Sequence, residues 1–258
     1  MIEVINRKLA TLYRIGYAKL MGTSPGYPMN KRIDTCGVEI LADADFQKSC
    51  KEVARITVLD TPRLANLWSL CRMTNPMGNI LEVGSYRGGG ALHLSNACPG
   101  RRIIVCDSFG GFEKLDPVLD SSFHDDMFKN TSHQAVDQLF RERKRNYAVL
   151  AGFFPAVCIK NGFALGGVSF VHLDVDAYKP TAESLDYLRP FMMEHSLMVF
   201  DDFNRRTEGV MRAVREFTDK DSSWVVFPLF PSQGLMVHES WFGRIGLFNN
   251  QQAKPALD

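Results

Sequence analysis

Residues 80–90 read ILEVGSYRGGG, and the helical pattern ALHLS follows at residues 91–95. A short apolar run thus carries an acid, Glu82, turns through glycines and enters a helix. This succession of strand, glycine turn and helix lays a nucleotide-like ligand across the start of the helix. Glycine is needed in the turn because a side chain would hold the ligand away from the backbone. The stretch therefore predicts a ligand site on an α/β sheet.

The spacing of this turn indicates which ligand it takes. Glu82, Gly84 and Gly88 give E-x-G-x-x-x-G, whereas dinucleotide-binding proteins carry G-x-G-x-x-G around a pyrophosphate. An adenosyl ligand without phosphates fits this spacing better. The next apolar run, residues 103–106, leads into Asp107, an acid placed to accept hydrogen bonds from a ribose diol. The alternative is an ordinary strand-to-helix turn, and the two acids together favour the ligand site.

Composition limits the class of protein. The chain has 258 residues, of which 45% are hydrophobic and 23% charged, which suits one α/β domain with additions. A formal net charge of +1 creates no global field for nucleic acid or an anionic membrane, so we expect neither partner. The six cysteines include no C-x-x-C pair, and neither a signal peptide nor an apolar run of transmembrane length is evident. We therefore expect a cytoplasmic protein with reduced thiols.

The first 75 residues predict a helical cap over the ligand pocket. The apolar spacing at 1–22 indicates an amphipathic helix, which packs on its own domain or a dimer partner, or lies on a membrane surface. A turn-rich loop follows at 23–34, and two more helices are expected at 43–55 and 62–73, with Asp60 as the N-cap of the second.

Residues 76–248 predict the ligand-binding domain, and residues 249–258 a polar tail. Strands are expected near 79–84, 102–107, 147–150, 168–173, 197–200, 224–227 and 242–248, with helices near 88–97, 133–145, 180–192 and 207–217. The last two strands are too close for an intervening helix, so we expect them to pair antiparallel. The fold class is α/β, a Rossmann-like, mostly parallel sheet with its last strand antiparallel and an N-terminal helical cap. The long connection 108–130 should lie over the carboxyl edge of the sheet, where ligands bind.

Three aspartates follow two strands that we expect to be neighbours. Asp174 comes after the run 168–173, and Asp201 and Asp202 come after the run 197–200. Carboxylates that converge without a basic partner repel one another, and a divalent cation relieves the repulsion. All-oxygen ligation favours Mg²⁺, Mn²⁺ or Ca²⁺ over zinc. The alternative is that these acids cap the helices that follow them.

Several polar residues near these motifs keep two interpretations. Asp176 either caps the next helix or supports the metal site from behind, and His172 is a core or supporting histidine. The sequence leaves open whether three further side chains face substrate or only solvent: His124, His133 and Lys179.

With these residues assembled, the chain resembles the class I S-adenosylmethionine-dependent methyltransferases, and more narrowly the metal-dependent macrocin/mycinamicin-type sugar O-methyltransferases. The matching segments are residues 82–89, 107–111, 152–155, 173–178 with Thr181, and 200–203. The resemblance spans about residues 79–217. Departures from the family pattern are Val175 in place of a usual glycine, Glu194-His195 in place of Gly-Gly, and the N-terminal cap, which leaves the acceptor undetermined.

The resemblance implies a site in some detail. S-adenosylmethionine would lie in the glycine-loop cleft, on residues matching Glu82, Gly84, Ser85, Tyr86, Gly88, Asp107, Ser108, Phe109, Gly152 and Phe154. It implies Mg²⁺, or Mn²⁺, on the residues matching Asp174, Asp201 and Asp202, with Asp174 also as the general base. Family members methylate sugar hydroxyls of secondary metabolites and form oligomers, so we expect a small-molecule acceptor and a homo-oligomer, taken as a dimer.

We therefore expect an S-adenosylmethionine- and Mg²⁺-dependent O-methyltransferase that acts on a small molecule, namely a sugar of a secondary metabolite or glycoside. One alternative is a catechol or phenol O-methyltransferase. Such enzymes place a lysine three residues after the first metal acid, where this chain has Ala177, and Lys179 lies two residues further on. Another alternative is a non-catalytic S-adenosylmethionine-binding protein, which has no need to keep three repelling acids.

Overall fold

The computed structural model describes residues 40–113, 115–204 and 207–244. The chain divides into two compact units, residues 1–44 and 45–258, and only residues 40–44 of the first unit are described. The helix predicted at 1–22, the loop predicted at 23–34 and the polar tail predicted at 249–258 lie outside the described residues. Within the described residues, no helix has the length and apolar character that a membrane crossing requires.

Strands and helices alternate along the second unit, and most lie where the sequence predicts them. The strands are β1 Asn79–Val83, β2 Ile103–Asp107, β3 Tyr147–Ala151, β4 Val168–Leu173, β5 Met192–Phe200, β6 Trp224–Leu229 and β7 Gln233–His238. The helices are α1 Ala44–Val53, α2 Thr61–Met73, α3 Gly89–Ala97, α4 His133–Glu142, α5 Ala156–Asn161, α6 Tyr178–Leu188, α7 Glu208–Lys220 and α8 Ser240–Arg244, with a 3₁₀ turn at Arg189–Phe191. The sequence pattern does not predict α5, because six residues are too few to display a helical period.

The sheet has seven strands in the order β3-β2-β1-β4-β5-β7-β6. Every neighbouring pair is parallel except the two pairs that β7 makes, with β5 and with β6. This arrangement confirms the predicted α/β class, with a mostly parallel sheet whose last strand in the sequence, β7, is antiparallel. The carboxyl ends of the parallel strands therefore meet at one edge, and the strand order reverses between β1 and β4.

The position of the antiparallel strand differs from the prediction. The sequence predicts it at 242–248, but it is Gln233–His238, and residues 242–244 belong to α8. The strand sequence QGLMVH is hard to recognise because a buried glutamine and a glycine interrupt its apolar run. Trp241, which follows this strand, is buried against the sheet and donates a hydrogen bond from Nε1 to Ser196 O at 2.9 Å.

The strands at the centre of the sheet are buried on both faces. All six residues of β4 are buried, and Phe170 within it is fully inaccessible. Helices cover both sides of a parallel sheet, so its central strands read as continuous apolar runs. This is why β1, β2 and β4 were predictable from their composition alone.

Strand β5 enters the sheet irregularly. Its pairing with β4 passes from Val168–Met192 to Phe170–Leu197, which leaves extra residues on β5. His195, in this stretch, has a φ of +59°, a left-handed conformation that glycine adopts without strain. His195 is one of the positions where the family that the sequence resembles carries glycine, and its positive φ is one that glycine adopts readily.

Helices α1 and α2 are fastened to α3 through one buried histidine. His93 Nδ1 accepts a hydrogen bond from Ser49 Oγ at 2.8 Å, while its Nε2 donates to Leu64 O at 3.0 Å. The rings of Phe46 and Trp68 lie 5.7 and 5.2 Å from the imidazole. Because the ring is buried, the pKa of His93 is lowered to about 4, and the side chain is neutral in the folded protein.

This buried imidazole predicts acid sensitivity. In the unfolded chain a histidine gains its proton near pH 6.5, whereas His93 in the folded chain resists protonation down to about pH 4. The free energy of unfolding should therefore fall as pH drops from 7 to 4.5, by about 2 to 3 kcal/mol more than in a His93→Gln variant, whose amide does not titrate. Urea unfolding of both proteins across this range measures the difference. Parallel pH profiles would contradict the assignment.

Candidate active site

An open cleft of about 900 Å³ runs along the carboxyl ends of β1, β2, β4 and β5. It lies at the reversal of strand order, which is where ligands bind in open α/β sheets. Its walls come from the turn after β1, the connection after β2, the turn after β3 and the acidic ends of β4 and β5. Val58 and Arg63 close it from the segment that the sequence predicts as a cap.

The glycine turn allows two strand ends to approach each other closely. Gly84 has a φ of +86°, and a Cβ on it would overlap the backbone oxygen of Asp174 at the end of β4. A Cβ on Gly90 would likewise overlap Oε1 of Glu82. These glycines are therefore required for packing against the acidic strand ends as well as for ligand approach.

Glu82 lies beneath the turn rather than in the cleft. Its side chain is buried and its Oε1 lies 2.9 Å from Nδ1 of His172, which is itself fully buried on β4. Burial raises the pKa of the Glu82 carboxyl, and His172 opposes this rise. The pair supports the floor of the site, and this contact gives His172 the supporting role that the sequence left open.

Asp107 joins the two turns that border the cleft. Its Oδ2 accepts a hydrogen bond from Tyr86 N at 2.7 Å, and its Oδ1 accepts one from Phe109 N at 2.6 Å. Burial raises the pKa of the Asp107 carboxyl, while these backbone N–H groups act to lower it. The backbone N–H of Ser85 also donates to this carboxylate, so of its about four lone pairs one remains for a ligand hydroxyl.

The predicted cofactor residues do not all reach the cleft. Six of the ten line it: Gly84, Tyr86, Asp107, Ser108, Gly152 and Phe154. Glu82 and Ser85 border a smaller recess beneath the turn. Gly88 and Phe109 line neither cavity, because Gly88 precedes α3 and the Phe109 ring packs beside His133 at 5.9 Å.

The long connection after β2 forms an aromatic wall. The ring of Phe128 lies 5.4 Å from that of Tyr86 and 5.7 Å from that of Phe112. Asp120, which is 2% exposed, fixes this connection because its Oδ1 accepts a hydrogen bond from Tyr178 N at the start of α6. The connection is thus held against the acidic side of the cleft.

Three carboxylates converge at that side. Oxygen atoms of Asp174, Asp176 and Asp202 all lie within 4.8 Å of one another. The sequence predicts Asp174 and Asp202 in such a cluster, and it leaves Asp176 between a capping and a supporting role. Asp201, the third predicted member, also lines the cleft, but it is not part of this 4.8 Å group.

The pKa values of Asp174 and Asp176 are both raised. Burial raises the pKa of Asp174 well above its usual range, and the negative charges of Asp201, Asp176 and Asp202 raise it further. Burial likewise raises the pKa of Asp176, together with a hydrogen bond to Asp202. A positive charge among these carboxylates would oppose the rise in pKa.

Asp201 is paired with the guanidinium of Arg63, a contact that the sequence does not predict. Arg63 Nη1 donates to Asp201 Oδ2 at 2.5 Å, and Arg63 Nη2 donates to Val58 O at 3.0 Å. Burial raises the pKa of Asp201, and the charges of His172 and Arg63 oppose that rise. Arg63 and Asp201 are 138 residues apart, so no local pattern connects them.

Backbone strain concentrates at this site. Seven described residues other than glycine have a positive φ, and four of them line the cleft: Tyr86, Phe128, Asp176 and Asp202. Such conformations cost energy, and proteins keep them mainly where a function requires the geometry.

The polar residues that the sequence left between substrate and solvent lie outside the cleft. His124 is exposed, and Lys179 lies 3.7 Å from Glu183 on the surface of α6.

A sequence profile described as "Macrocin-O-methyltransferase (TylF)" matches residues 51–225, which is more than half of the chain. The chain belongs to the macrocin O-methyltransferase family. It is accordingly an S-adenosylmethionine-dependent O-methyltransferase, as the glycine turn and acids led us to expect. A comparison with curated protein sequences gives no match.

Solved structures of other methyltransferases share this fold. The O-methyltransferase NovP is 20% identical with a TM-score of 0.61, over 71% of this chain and 82% of NovP. The calicheamicin methyltransferase CalS11 is 17% identical with a TM-score of 0.53, over 90% of this chain and 92% of CalS11. An O-methyltransferase from Bacillus cereus in complex with SAH is 12% identical with a TM-score of 0.52, over 80% of this chain and 96% of that protein. These identities support the fold alone.

The contacts of Asp107 yield a binding prediction for this methyltransferase. In an Asp107→Asn variant one oxygen becomes an NH₂ group, which cannot accept the hydrogen bond of Tyr86 N or Phe109 N. We expect S-adenosylhomocysteine to bind about tenfold more weakly, or worse, by isothermal titration calorimetry. Asp125→Asn, an exposed change in the connection after β2, is the control and should bind as the wild type does. Equal affinities of Asp107→Asn and wild type for S-adenosylhomocysteine would contradict a role of Asp107 in binding this ligand.

Proposed function

We propose that this O-methyltransferase requires Mg²⁺, or Mn²⁺, and methylates a sugar hydroxyl of a secondary metabolite or glycoside. The observation that carries the proposal is the convergence of Asp174, Asp176 and Asp202 at the acidic side of the cleft. The names of similar proteins support the acceptor class, since the family is named for macrocin and CalS11 is a calicheamicin methyltransferase.

The residues fit a hard divalent cation. Carboxylate oxygens are the ligands that Mg²⁺ prefers, and three of them lie close enough to share one ion. Asp174, Asp176 and Asp202 would hold it, with Asp201 as a further carboxylate that must first leave Arg63. A bound Mg²⁺ would supply a positive charge that lowers the pKa of an acceptor hydroxyl and helps to orient it.

Two parts of the cleft suit the methyl donor. We propose that Asp107 accepts a hydrogen bond from the ribose, because it borders the cleft and keeps a lone pair beyond those used by the backbone N–H groups of Ser85, Tyr86 and Phe109. The glycine turn would receive the amino-acid end, where Gly84 leaves backbone accessible. Phe154 and Gly152 line the same half of the cleft.

Asp174 is the residue that we propose as general base. The methyl group passes from the sulfonium to the acceptor oxygen, so that oxygen must give up its proton as the new bond forms. Asp174 lies at the junction between the glycine turn and the carboxylate cluster, since its backbone oxygen packs against Gly84. Its carboxyl belongs to the cluster that would hold the cation, which places it beside the acceptor hydroxyl whose proton it would take.

The catechol or phenol alternative finds less support in the cleft. Ala177 is fully buried and Lys179 faces solvent, so neither supplies the lysine that such enzymes carry after the first metal acid. Among the described residues that line the cleft, the cationic side chain is Arg63, and it is held by Asp201. We therefore favour a sugar hydroxyl as acceptor.

Three further expectations remain proposals. Val58 and Arg63 support a role for the segment up to residue 75 in shaping the acceptor side. We keep the expectation of a homo-oligomer, taken as a dimer, and of a cytoplasmic location. Chemical cross-linking in solution tests the homo-oligomer, and cell fractionation tests the cytoplasmic location.

An acceptor screen tests the proposed function. Intact-mass detection of a 14 Da gain across glycosides and phenols should find a glycoside product that needs Mg²⁺ and disappears with EDTA. Asp174→Asn should lower turnover by roughly 10²- to 10⁴-fold, because the proton acceptor is lost, while S-adenosylhomocysteine still binds.

The matched control for this experiment is Asp186→Asn, which changes an exposed aspartate on α6 and should keep full turnover. Turnover that survives both EDTA and Asp174→Asn would remove the cation and the base from the scheme. A preference for phenols over all glycosides would favour the catechol-type alternative.

A further inference from the structure

Asp201 and Asp202 are consecutive residues with opposite surroundings. Asp202 belongs to the carboxylate cluster, whereas the side chain of Asp201 is almost fully buried against Arg63, with 2.5 Å between Oδ2 and Nη1. One carboxylate oxygen is thus committed to a guanidinium. An oxygen that accepts a hydrogen bond from Arg63 is less available to a divalent cation in the same cleft.

Arg63 is itself held by several groups. Its Nη2 donates to Val58 O at 3.0 Å, and its Nε and backbone N both donate to Oδ1 of Asp60, at 3.3 and 3.0 Å. Asp60 is the N-cap of α2, so the guanidinium ties the first turn of α2 and the preceding residues to the end of β5. Breaking the pair with Asp201 would therefore loosen a wall of the cleft.

We propose that Arg63 and the divalent cation compete for Asp201, so that cation binding releases residues 58–63 from the sheet. The inference rests on the cation site of the proposed function. In the structure described here Arg63 binds one carboxylate oxygen of Asp201, beside the other acids of the cleft. With the cation bound, Asp201 turns to the cluster, and the freed guanidinium and Val58 face the acceptor side of the cleft.

The charges in the cleft favour replacement of the Arg63 guanidinium by the divalent cation as the partner of Asp201. Four aspartates, Asp174, Asp176, Asp201 and Asp202, face one guanidinium among the described residues that line the cleft. A divalent cation brings two further positive charges, which makes the pairing between Arg63 and Asp201 less necessary. Because two ligands that share one site weaken each other equally, the cation loosens Arg63 by the same factor that Arg63 weakens the cation.

Mn²⁺ binding, followed by electron paramagnetic resonance of the free ion, tests this competition. Arg63→Gln should bind Mn²⁺ roughly 5- to 150-fold more tightly than wild type, the usual range for coupled sites. Arg63→Lys, which keeps a charge beside Asp201, should fall between the two. Arg72→Gln, an exposed change in the last turn of the same helix, is the matched control and should bind as wild type does.

The Asp201→Asn variant separates competition for the Asp201 carboxylate from the electrostatic effect of the Arg63 charge on the cation site. In Asp201→Asn there is no carboxylate to compete for, so a further Arg63→Gln change should leave Mn²⁺ affinity nearly unaltered. An equal gain in both backgrounds would show that Arg63 acts through its field alone, and would overturn the inference. Weaker binding in Arg63→Gln would overturn it too, because Arg63 would then support the ligand.

Hydrogen exchange of the wild type gives a readout that needs no variant. Mg²⁺ should speed amide exchange in residues 58–63 and leave α4, away from the cleft, unchanged. Slower or constant exchange at 58–63 would overturn the release. Failure of the wild type and every variant to bind Mn²⁺ would overturn the proposed cation site together with this inference, whereas binding without any Arg63 effect overturns the inference alone.

Discussion

The organising constraint in this protein is the repulsion among carboxylates at the end of a parallel sheet. Parallel strands deliver their carboxyl ends to one edge, and here β4 and β5 each end in aspartates at that edge. Two full negative charges within 4.8 Å repel by roughly 3 to 4 kcal/mol at an effective dielectric constant of about 20. The same repulsion contributes to the raised pKa values of Asp174 and Asp176. A bound cation or a proton relieves it.

The rest of the site serves to keep these acids beside the donor cleft. Gly84 lets the turn after β1 contact the backbone of Asp174, and the buried pair of Glu82 and His172 supports that contact from below. Asp201 and Asp202 both line the cleft, the first bound by Arg63 and the second within the carboxylate cluster. Substrate cleft, acid cluster and cap segment are thereby joined within one small region of the fold.

Sequence reasoning succeeded where a local pattern carries the information. The buried strands β1, β2 and β4, the glycine turn and the acids at strand ends follow from composition and the geometry of parallel sheets. It failed where a pattern is interrupted, as in β7, or where the contact is remote in sequence. The pairing of Asp201 with Arg63 is of the second kind, because burial and tertiary packing choose the partner.

The acids at strand ends also show how far spacing alone can go. The sequence places Asp174 and Asp202 in one cluster, and the structure brings them together with Asp176. Of the two adjacent aspartates, Asp202 belongs to the cluster and has a positive φ, whereas Asp201 is bound by Arg63. Propensity does not predict such a conformation for aspartate, although strained residues of this kind are typical of functional sites.

Anomalous diffraction from crystals grown with Mn²⁺ and S-adenosylhomocysteine tests the central claim most directly. The account predicts one strong manganese peak within coordination distance of Asp174 and Asp202, beside the sulfur of the bound product. A cleft that holds the product while the manganese peak lies elsewhere, or while those carboxylates point apart, would contradict it.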